Sequence, residues 1–187
     1  DNDAAGNSAA PYSQGTWSNV TILGPLTVSS TISDLYKRAA HLRRNTQTRI
    51  YNSVFAGYAT GLLIDGGTTE TNATNNDLQF RNSILAGIST APLAVASGST
   101  WDITTWFNTA GWNNTILANN SELGIALPTI LTAPQLRPET GSPLFTGAAF
   151  TGPLADSFYE PVTFRGAFGS TDWTSGWANW DPQNTAY

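Results

Sequence analysis

An internal repeat constrains this chain more than any other feature of its sequence. Residues 19–24 (Asn-Val-Thr-Ile-Leu-Gly) have counterparts at residues 52–57, 82–87 and 114–119, so the leading Asn recurs every 30 to 33 residues. Each segment reads Asn, a mostly small polar residue, aliphatic or β-branched residues, and then Gly or Asn. Short apolar runs bounded by turn-forming residues are typical of strands rather than helices. The repeat therefore predicts short strands at regular intervals.

A second apolar run follows three of these segments, at residues 61–65, 92–96 and 123–127. Polar stretches at residues 66–77 and 97–100 come after two of these runs and are predicted to be loops. The repeating unit is therefore strand, tight turn, strand and loop. A unit of this length is typical of a β-solenoid, in which each turn of the chain stacks on the previous one at about 4.8 Å.

Residues 34–45 have two interpretations. Three apolar residues in this stretch have helical spacing behind a potential N-cap at Asp34. Residues 40–44 also fit a further solenoid strand. We favour the strand, because a coil is otherwise missing between Gly24 and Asn52.

The repeated asparagines have a predicted structural role. In a solenoid, residues at the same place in successive turns lie above one another, and buried asparagines can pass side-chain hydrogen bonds from turn to turn. The sequence predicts such a structural ladder, with inward side chains, from four residues. They are Asn19, Asn52, Asn82 and Asn114.

The chain changes character after residue 127. Prolines at positions 128, 134, 138 and 143 interrupt regular strands, and the last thirty residues are rich in Phe, Tyr and Trp. We expect residues 1–127 to form the coils of an all-β solenoid. Residues 128–187 are expected to form a C-terminal extension in the same domain, an aromatic-rich irregular cap over the last coil.

Charge and composition exclude several classes of function. The net charge of −5 disfavours nucleic acid as a partner, because phosphate binding needs a basic surface. No stretch approaches the roughly 18 consecutive apolar residues of a membrane span. The chain has no Cys, which excludes disulfides, thiolate metal sites and thiol nucleophiles.

A set of motifs extends over nearly the whole chain. They occupy residues 1–4, 18–25, 42–45, 51–57, 61–65, 141–144, 164–168 and 176–182. Together they resemble a family of secreted proteins from Bacteroidota. The resemblance implies a right-handed parallel β-helix, export by type IX secretion, and a location outside the cell or on its outer surface. Family members also have an N-terminal half, so we expect this chain to be a C-terminal half; the resemblance carries over no catalytic residue.

Two groups of side chains are candidates for contact with a glycan. Arg43 and Arg44 lie in a window, residues 37–49, that holds five of the eight basic residues and would suit an acidic glycan. Trp101 and Trp106 could stack on sugar rings. The alternatives are that the arginines pair with carboxylates on the solenoid wall and that the tryptophans pack against the coils.

Asp1 and Asp3 are the one candidate metal site. Their alternate spacing is that of carboxylates in a Ca²⁺ loop, and the alternative is a polar chain end. We otherwise expect no cofactor. The single histidine, His41, is interpreted as structural because no nucleophile motif accompanies it.

These observations favour a non-enzymatic extracellular structural or adhesive β-solenoid. The alternative is a glycan-binding or polysaccharide-cleaving β-helix on the cell surface, which two or more carboxylates near Arg43 would favour. Ice binding through Thr46 and Thr48 ranks lower, because no Thr-x-Thr repeat recurs in register.

The N-terminal end of the solenoid raises the question of a partner. Residues 1–14 are small and polar, so they cannot cap the first coil. An uncapped coil exposes apolar side chains and strand edges. We expect other polypeptide to cover it, either the absent N-terminal half or a neighbouring subunit. Subunits stacked head to tail without closure would form a filament.

Overall fold

The computed structural model describes residues 7–186, and short β-strands account for most of its regular structure. In chain order the strands are β1 (Thr16–Ser18), β2 (Thr21–Leu23), β3 (Arg38–Arg43), β4 (Arg49–Tyr51), β5 (Val54–Ala56), β6 (Thr60–Asp65), β7 (Gln79–Arg81), β8 (Ile84–Ala86), β9 (Ala91–Val95), β10 (Thr115–Leu117), β11 (Ile125–Leu127) and β12 (Gln135–Pro138). Two short helices, α1 (Gly67–Thr74) and α2 (Ile103–Phe107), lie between them. No helix of the described part is long and apolar enough to cross a membrane.

Strands β1 to β10 form three parallel sheets. Their orders are β1-β4-β7, β2-β5-β8-β10 and β3-β6-β9. Each turn of the chain gives one strand to each sheet, which defines a first coil (residues 16–43), a second coil (residues 49–65) and a third coil (residues 79–95). Thr21, Val54 and Ile84 are register partners, as the repeat predicts for equivalent positions.

The core lies between the three sheets and consists of inward apolar side chains from successive coils. Phe55 and Phe80 are 3% and 0% exposed, and their ring centroids are 5.7 Å apart. Leu62 and Ile64 of β6 are fully buried on the facing sheet. Full burial of such a side chain stabilises the fold by about 1.5–3 kcal/mol.

The strand interpretation of residues 40–44 is confirmed for all but Arg44, which lies in the following turn. Strand β3 runs from Arg38 to Arg43 and pairs in parallel with β6, with Ala40 opposite Leu62. The helical tendency is limited to a 3₁₀ turn at Asp34–Tyr36. Ala40 is buried, so packing against the second coil decides between the two interpretations.

The prediction of a loop over residues 66–77 is wrong, because α1 occupies most of that stretch. Its sequence has no apolar stripe, and tertiary hydrogen bonds hold it instead. The backbone N–H of Asn45 donates to Thr69 Oγ1 (3.1 Å), and Asn72 Nδ2 donates to Asn45 Oδ1 (2.8 Å). Thr69 is fully buried, so this polar helix is an integral part of the coil corner.

The apolar run at residues 123–127, which was predicted to add a strand to the solenoid, does not continue it. Strand β11 pairs antiparallel with β12 rather than adding to the sheet of β3, β6 and β9. Ser142 Oγ donates to the Leu123 carbonyl (2.6 Å), just before β11. The coil pattern therefore ends at β10.

The sequence led us to expect the C-terminal extension to cap the last coil. In the structure it does not do so. It runs back along the sheet of β2, β5, β8 and β10 towards the first coil. Gly147 contacts the third coil, Ala149 the second, and Ala167 the first, where its N–H donates to Thr21 Oγ1 (2.9 Å). The prolines that break strands allow this irregular lateral path.

Candidate functional site

Three of the predicted ladder asparagines occupy one register position, two residues before the strands of the second sheet. They are Asn19, Asn52 and Asn82, with φ of 56°, 51° and 52°. Among residues other than glycine, Asn and Asp visit this left-handed conformation most readily. The repeated Asn is therefore explained by a turn that needs positive φ.

The side chains of these asparagines bind the C-terminal extension rather than one another. Asn82 Nδ2 donates to the Gly147 carbonyl (3.1 Å). Asn52 both accepts from and donates to the backbone of Ala149 (2.9 and 3.2 Å). Asn19 Nδ2 donates to two further carbonyls of the extension, those of Phe164 and Gly166. The row of asparagines is thus a binding surface for the protein's own extension.

Asn114 lies one register position later than the other three. Its neighbour Thr115 is the register partner of Ile84, so the equivalent of Asn82 is the exposed Asn113, with φ of 49°. Asn113 and Asn114 are adjacent, and aligning the repeat segments without gaps matched Asn114 to Asn82 instead of Asn113. The ladder register predicted for Asn114 is corrected accordingly.

A turn-to-turn hydrogen-bond ladder does exist at that later position. The N–H of Val20 donates to Ser53 Oγ (3.1 Å), the N–H of Ser53 to Ser83 Oγ (3.0 Å), and the N–H of Ser83 to Asn114 Oδ1 (3.1 Å). Ser53 and Ser83 are fully buried. The only sequence signal for it was the small polar residue after each Asn.

Arg43 is the last residue of β3, and Arg44 follows it. Arg43 is the register partner of Asp65, and Asp65 Oδ2 lies 2.7 Å from Nε2 of His41. Arg44 has a left-handed backbone, with φ of 55°, in the turn that leaves the first coil. The described residues contain no group of three or more His, Asp and Glu that could hold a metal ion.

Trp106 packs against the coils, which is the alternative that the sequence offered to stacking on a sugar. Its ring is 8% exposed and its Nε1 donates to the Ala73 carbonyl (3.0 Å). Trp101 packs beside it at a centroid distance of 5.6 Å and donates to Thr74 Oγ1. Both rings belong to an aromatic cap over the third coil, formed by Trp101, Trp106, Phe107 and Trp112.

The candidate calcium ligands Asp1 and Asp3 lie outside the described residues. The structure therefore leaves that site as a prediction.

The first coil ends in an apolar cleft of about 340 Å³. The cleft is lined by Trp17, Val20, Ile22, Ala39, Ala40, Leu42, Thr48, Ile50 and Phe55. Trp17 is 57% exposed there, whereas its register partner Ile50 in the second coil is 8% exposed. We call this surface the open end. Strands β1, β2 and β3 are each the last described strand of their sheet on this side.

The open end presents two kinds of unsatisfied surface together. Apolar side chains that would be buried in the middle of the stack are partly exposed, and three strand edges have no neighbouring strand among residues 7–186. Such edges are templates for pairing with another chain. The arrangement can therefore accept another coil of the same shape.

Comparison with known proteins identifies a family. Residues 1–135 match the family model described as "Pectate-lyase like beta helix domain". No curated protein matches the chain, and no solved structure does. The matched residues include all three coils and the aromatic cap. The chain therefore belongs to the pectate-lyase-like beta helix domain family.

Proposed function

We propose that this chain is a non-enzymatic structural β-helix module that acts outside the cell. Its coils wind in the right-handed sense that nearly all parallel crossover connections adopt. Its open end is continued by a β-helical coil from another polypeptide. The open end is the observation that supports this proposal most directly, since it combines an apolar cleft with three strand edges.

Burial provides the driving force for such an addition. A coil stacked on the first would pair with β1, β2 and β3 at the ordinary strand spacing of about 4.8 Å. It would also cover Trp17, and an aromatic side chain of this kind buries about 150–250 Å². At roughly 25 cal/mol per Å², several such side chains supply the apolar contribution of a specific interface.

The opposite end favours a limited assembly over a filament. The aromatic cap covers the core of the third coil, where Phe107 lies on Phe80 at a centroid distance of 5.9 Å. Head-to-tail stacking would require this cap to open. In a pure sample, association through two open ends stops at a pair.

Light scattering coupled to size-exclusion chromatography tests the assembly. We expect the mass to rise with concentration from 19.9 kDa towards twice that value. Ile22→Lys should hold the chain at the lower mass, because it places a charge in the cleft. Ile116→Lys is the matched control: Ile116 occupies the same register position in β10, at the other end of the stack, and is 42% exposed.

Three outcomes are informative. A monomer at every concentration would contradict assembly through the open end. Loss of association in Ile116→Lys would indicate head-to-tail stacking instead. If circular dichroism shows that Ile22→Lys is unfolded, Trp17→Glu replaces it, because the exposed Trp17 side chain tolerates a polar residue more easily.

The rival function is cleavage or binding of a polysaccharide. The family description and the His41–Asp65 hydrogen bond beside Arg43 favour it. We expect no unsaturated or reducing ends from pectin, alginate or chondroitin, with or without Ca²⁺. Turnover that disappears in Arg43→Ala or Arg44→Ala would support the enzyme over the structural module.

A further inference from the structure

A second and larger cleft lies where the C-terminal extension meets the first coil. It has a volume of about 770 Å³, which is within the range of ligand sites in proteins. Five aromatic side chains line it, and we call it the aromatic cleft. They are Tyr36, Tyr58, Phe168, Trp173 and Trp180. It is separate from the open end, since the two share no lining residue.

The rings of Tyr58 and Trp173 form two walls of this cleft, and local contacts hold each of them in place. Tyr58 lies in the second coil, between β5 and β6, and its ring lies against the Cα of Gly24, where any Cβ would collide with it. Trp173 is fixed on the other side, because its Nε1 donates to the Ala167 carbonyl (2.8 Å) and its ring stacks on Phe168. The two rings are therefore held by separate parts of the chain.

The lining carries no charge. Among the described residues that line the cleft, none is Asp, Glu, Lys, Arg or His. Three prolines, Pro25, Pro128 and Pro134, share the walls with the aromatic rings. An uncharged surface of rings and prolines selects for an uncharged ligand, because a charged one would lose hydration without gaining a partner.

Most polar groups of the lining already have partners. Thr21 Oγ1 accepts from the backbone, Thr27 Oγ1 donates to the Gly24 carbonyl (2.7 Å), and Thr174 Oγ1 donates to Asp172. The exceptions are three groups that can each donate, and the two tyrosine hydroxyls among them can also accept. In the described part of the chain, the hydroxyls of Tyr36 and Tyr58 and the Nε1–H of Trp180 have no hydrogen-bond partner. Burial raises the pKa of Tyr58, which keeps its hydroxyl protonated.

This combination suits a polyproline II peptide better than a sugar. A sugar ring brings several hydroxyls that each need a donor or acceptor, and unpaired ones are costly. A proline-rich peptide brings apolar ring faces and carbonyl acceptors but few N–H donors. Aromatic grooves with a few donors are the surfaces that recognise such peptides elsewhere.

We propose that the aromatic cleft binds an uncharged proline-rich segment in the polyproline II conformation. The peptide's proline rings lie between Tyr36 and Trp173, and its carbonyls accept from Tyr58 and Trp180. Pro128 and Pro134 of this chain form part of the wall against which the peptide would pack.

The probe is an uncharged, capped deca-proline peptide titrated into the full chain by calorimetry and by tryptophan fluorescence. We expect saturable binding that Tyr58→Phe weakens about three- to tenfold, the effect of one lost hydrogen bond. Tyr36→Ala should weaken it at least as much. Leu35→Ala is the matched control, because Leu35 adjoins Tyr36 and is 89% exposed but does not line the cleft.

The competing occupants are outcomes of the same experiment. Absence of saturable binding at millimolar peptide overturns the proposal, as does binding that both tyrosine variants leave unchanged. Binding of cellohexaose in place of the peptide would assign the cleft to a neutral glycan instead. Ile22→Lys should bind the peptide normally, so a failure here is distinguishable from a failure of the proposed assembly.

Discussion

The two ends of the coil stack are built from the same repeat but finished differently. At the open end, Trp17 is 57% exposed above the core. At the other end, Trp106 and Phe107 are 8% and 1% exposed, because the chain between β9 and β10 folds as α2 and lies over the third coil. Within the described residues, no comparable insertion covers the first coil.

This difference separates two structural requirements of a repeat protein: its coils must stack on one another, and its ends must be terminated. The coils stack by parallel pairing and a continuous apolar core, which depend only on the neighbouring coil. The ends determine whether stacking can continue. A residue's contribution to stability should therefore depend on which end it occupies, even where its type and orientation are the same.

The strongest test of this comparison truncates one aromatic side chain at each end. Phe107→Ala should lower the free energy of unfolding by about 3–5 kcal/mol, because it leaves a cavity over Phe80. Trp17→Ala should cost less than about 1 kcal/mol in the monomer, because the ring is mostly in water already. Urea denaturation at low protein concentration measures both.

A similar cost for the two variants would contradict the comparison. It would mean that the first coil is covered in solution, and the concentration dependence of the Trp17→Ala effect would then show whether a second copy covers it.

The coils could be predicted because their signal is local and repeated. The spacing of the Asn segments fixed the strands of the second sheet, and the need for a missing coil identified β3. The ladder was misplaced at Asn114 because Asn113 precedes it, and sequence spacing alone does not reveal which of the two has positive φ. The hydrogen-bond ladder through Ser53 and Ser83 was not predicted, because a serine just before a strand is common in protein sequences.

The ends and corners could not be predicted for a different reason. The helix α1 has no apolar periodicity, and its place depends on hydrogen bonds to Asn45 across the corner. The aromatic residues of the extension and those near α2 have the same composition, so the sequence does not say which group covers the last coil. Long-range packing alone assigns that role to Phe107 and Trp106.

The second test compares asparagines in two coils. Asn52 is fully buried and bonded to Ala149, whereas Asn19 in the first coil is half-buried. Asn52→Ala should cost about 2–4 kcal/mol, combining the strain of positive φ with lost hydrogen bonds. Asn19→Ala should cost less, because water can replace the lost partner near the open end.

Glycine separates the two causes. Asn52→Gly keeps the backbone conformation free of strain and removes only the side chain, so it should recover about 1 kcal/mol relative to Asn52→Ala. Chemical denaturation of the three variants provides the values. Equal costs for Asn52→Ala and Asn52→Gly would show that the left-handed turn contributes nothing to the choice of Asn.

The smallest expected effect concerns Asp102, the N-cap residue of α2, at the end of the stack opposite the open end. Asp102 accepts from the Thr105 hydroxyl (2.6 Å) and from the Thr105 N–H (2.9 Å), and these hydrogen bonds lower the pKa of Asp102. A carboxyl whose pKa is lower in the folded state stabilises the fold above its unfolded pKa of about 3.9. That contribution is lost as the pH falls through the lower, folded pKa.

Asp102→Asn should therefore flatten the loss of stability as the pH falls below about 4, relative to the parent chain. Asp172 is the matched control, because the Thr174 hydroxyl and N–H lower the pKa of its carboxyl in the same way, but in the C-terminal extension. Thermal unfolding at a series of pH values measures the stability of Asp102→Asn and Asp172→Asn. The same measurement in chains that also carry Phe107→Ala shows how much the aromatic cap contributes. If the chain unfolds in one step, Asp172→Asn also flattens the loss of stability below pH 4, because its carboxyl pKa is lowered in the same way. An effect confined to Asp102→Asn would show that the extension unfolds separately from the coils. If Asp102→Asn loses stability below pH 4 as steeply as the parent chain does, α2 is held by its apolar side chains alone.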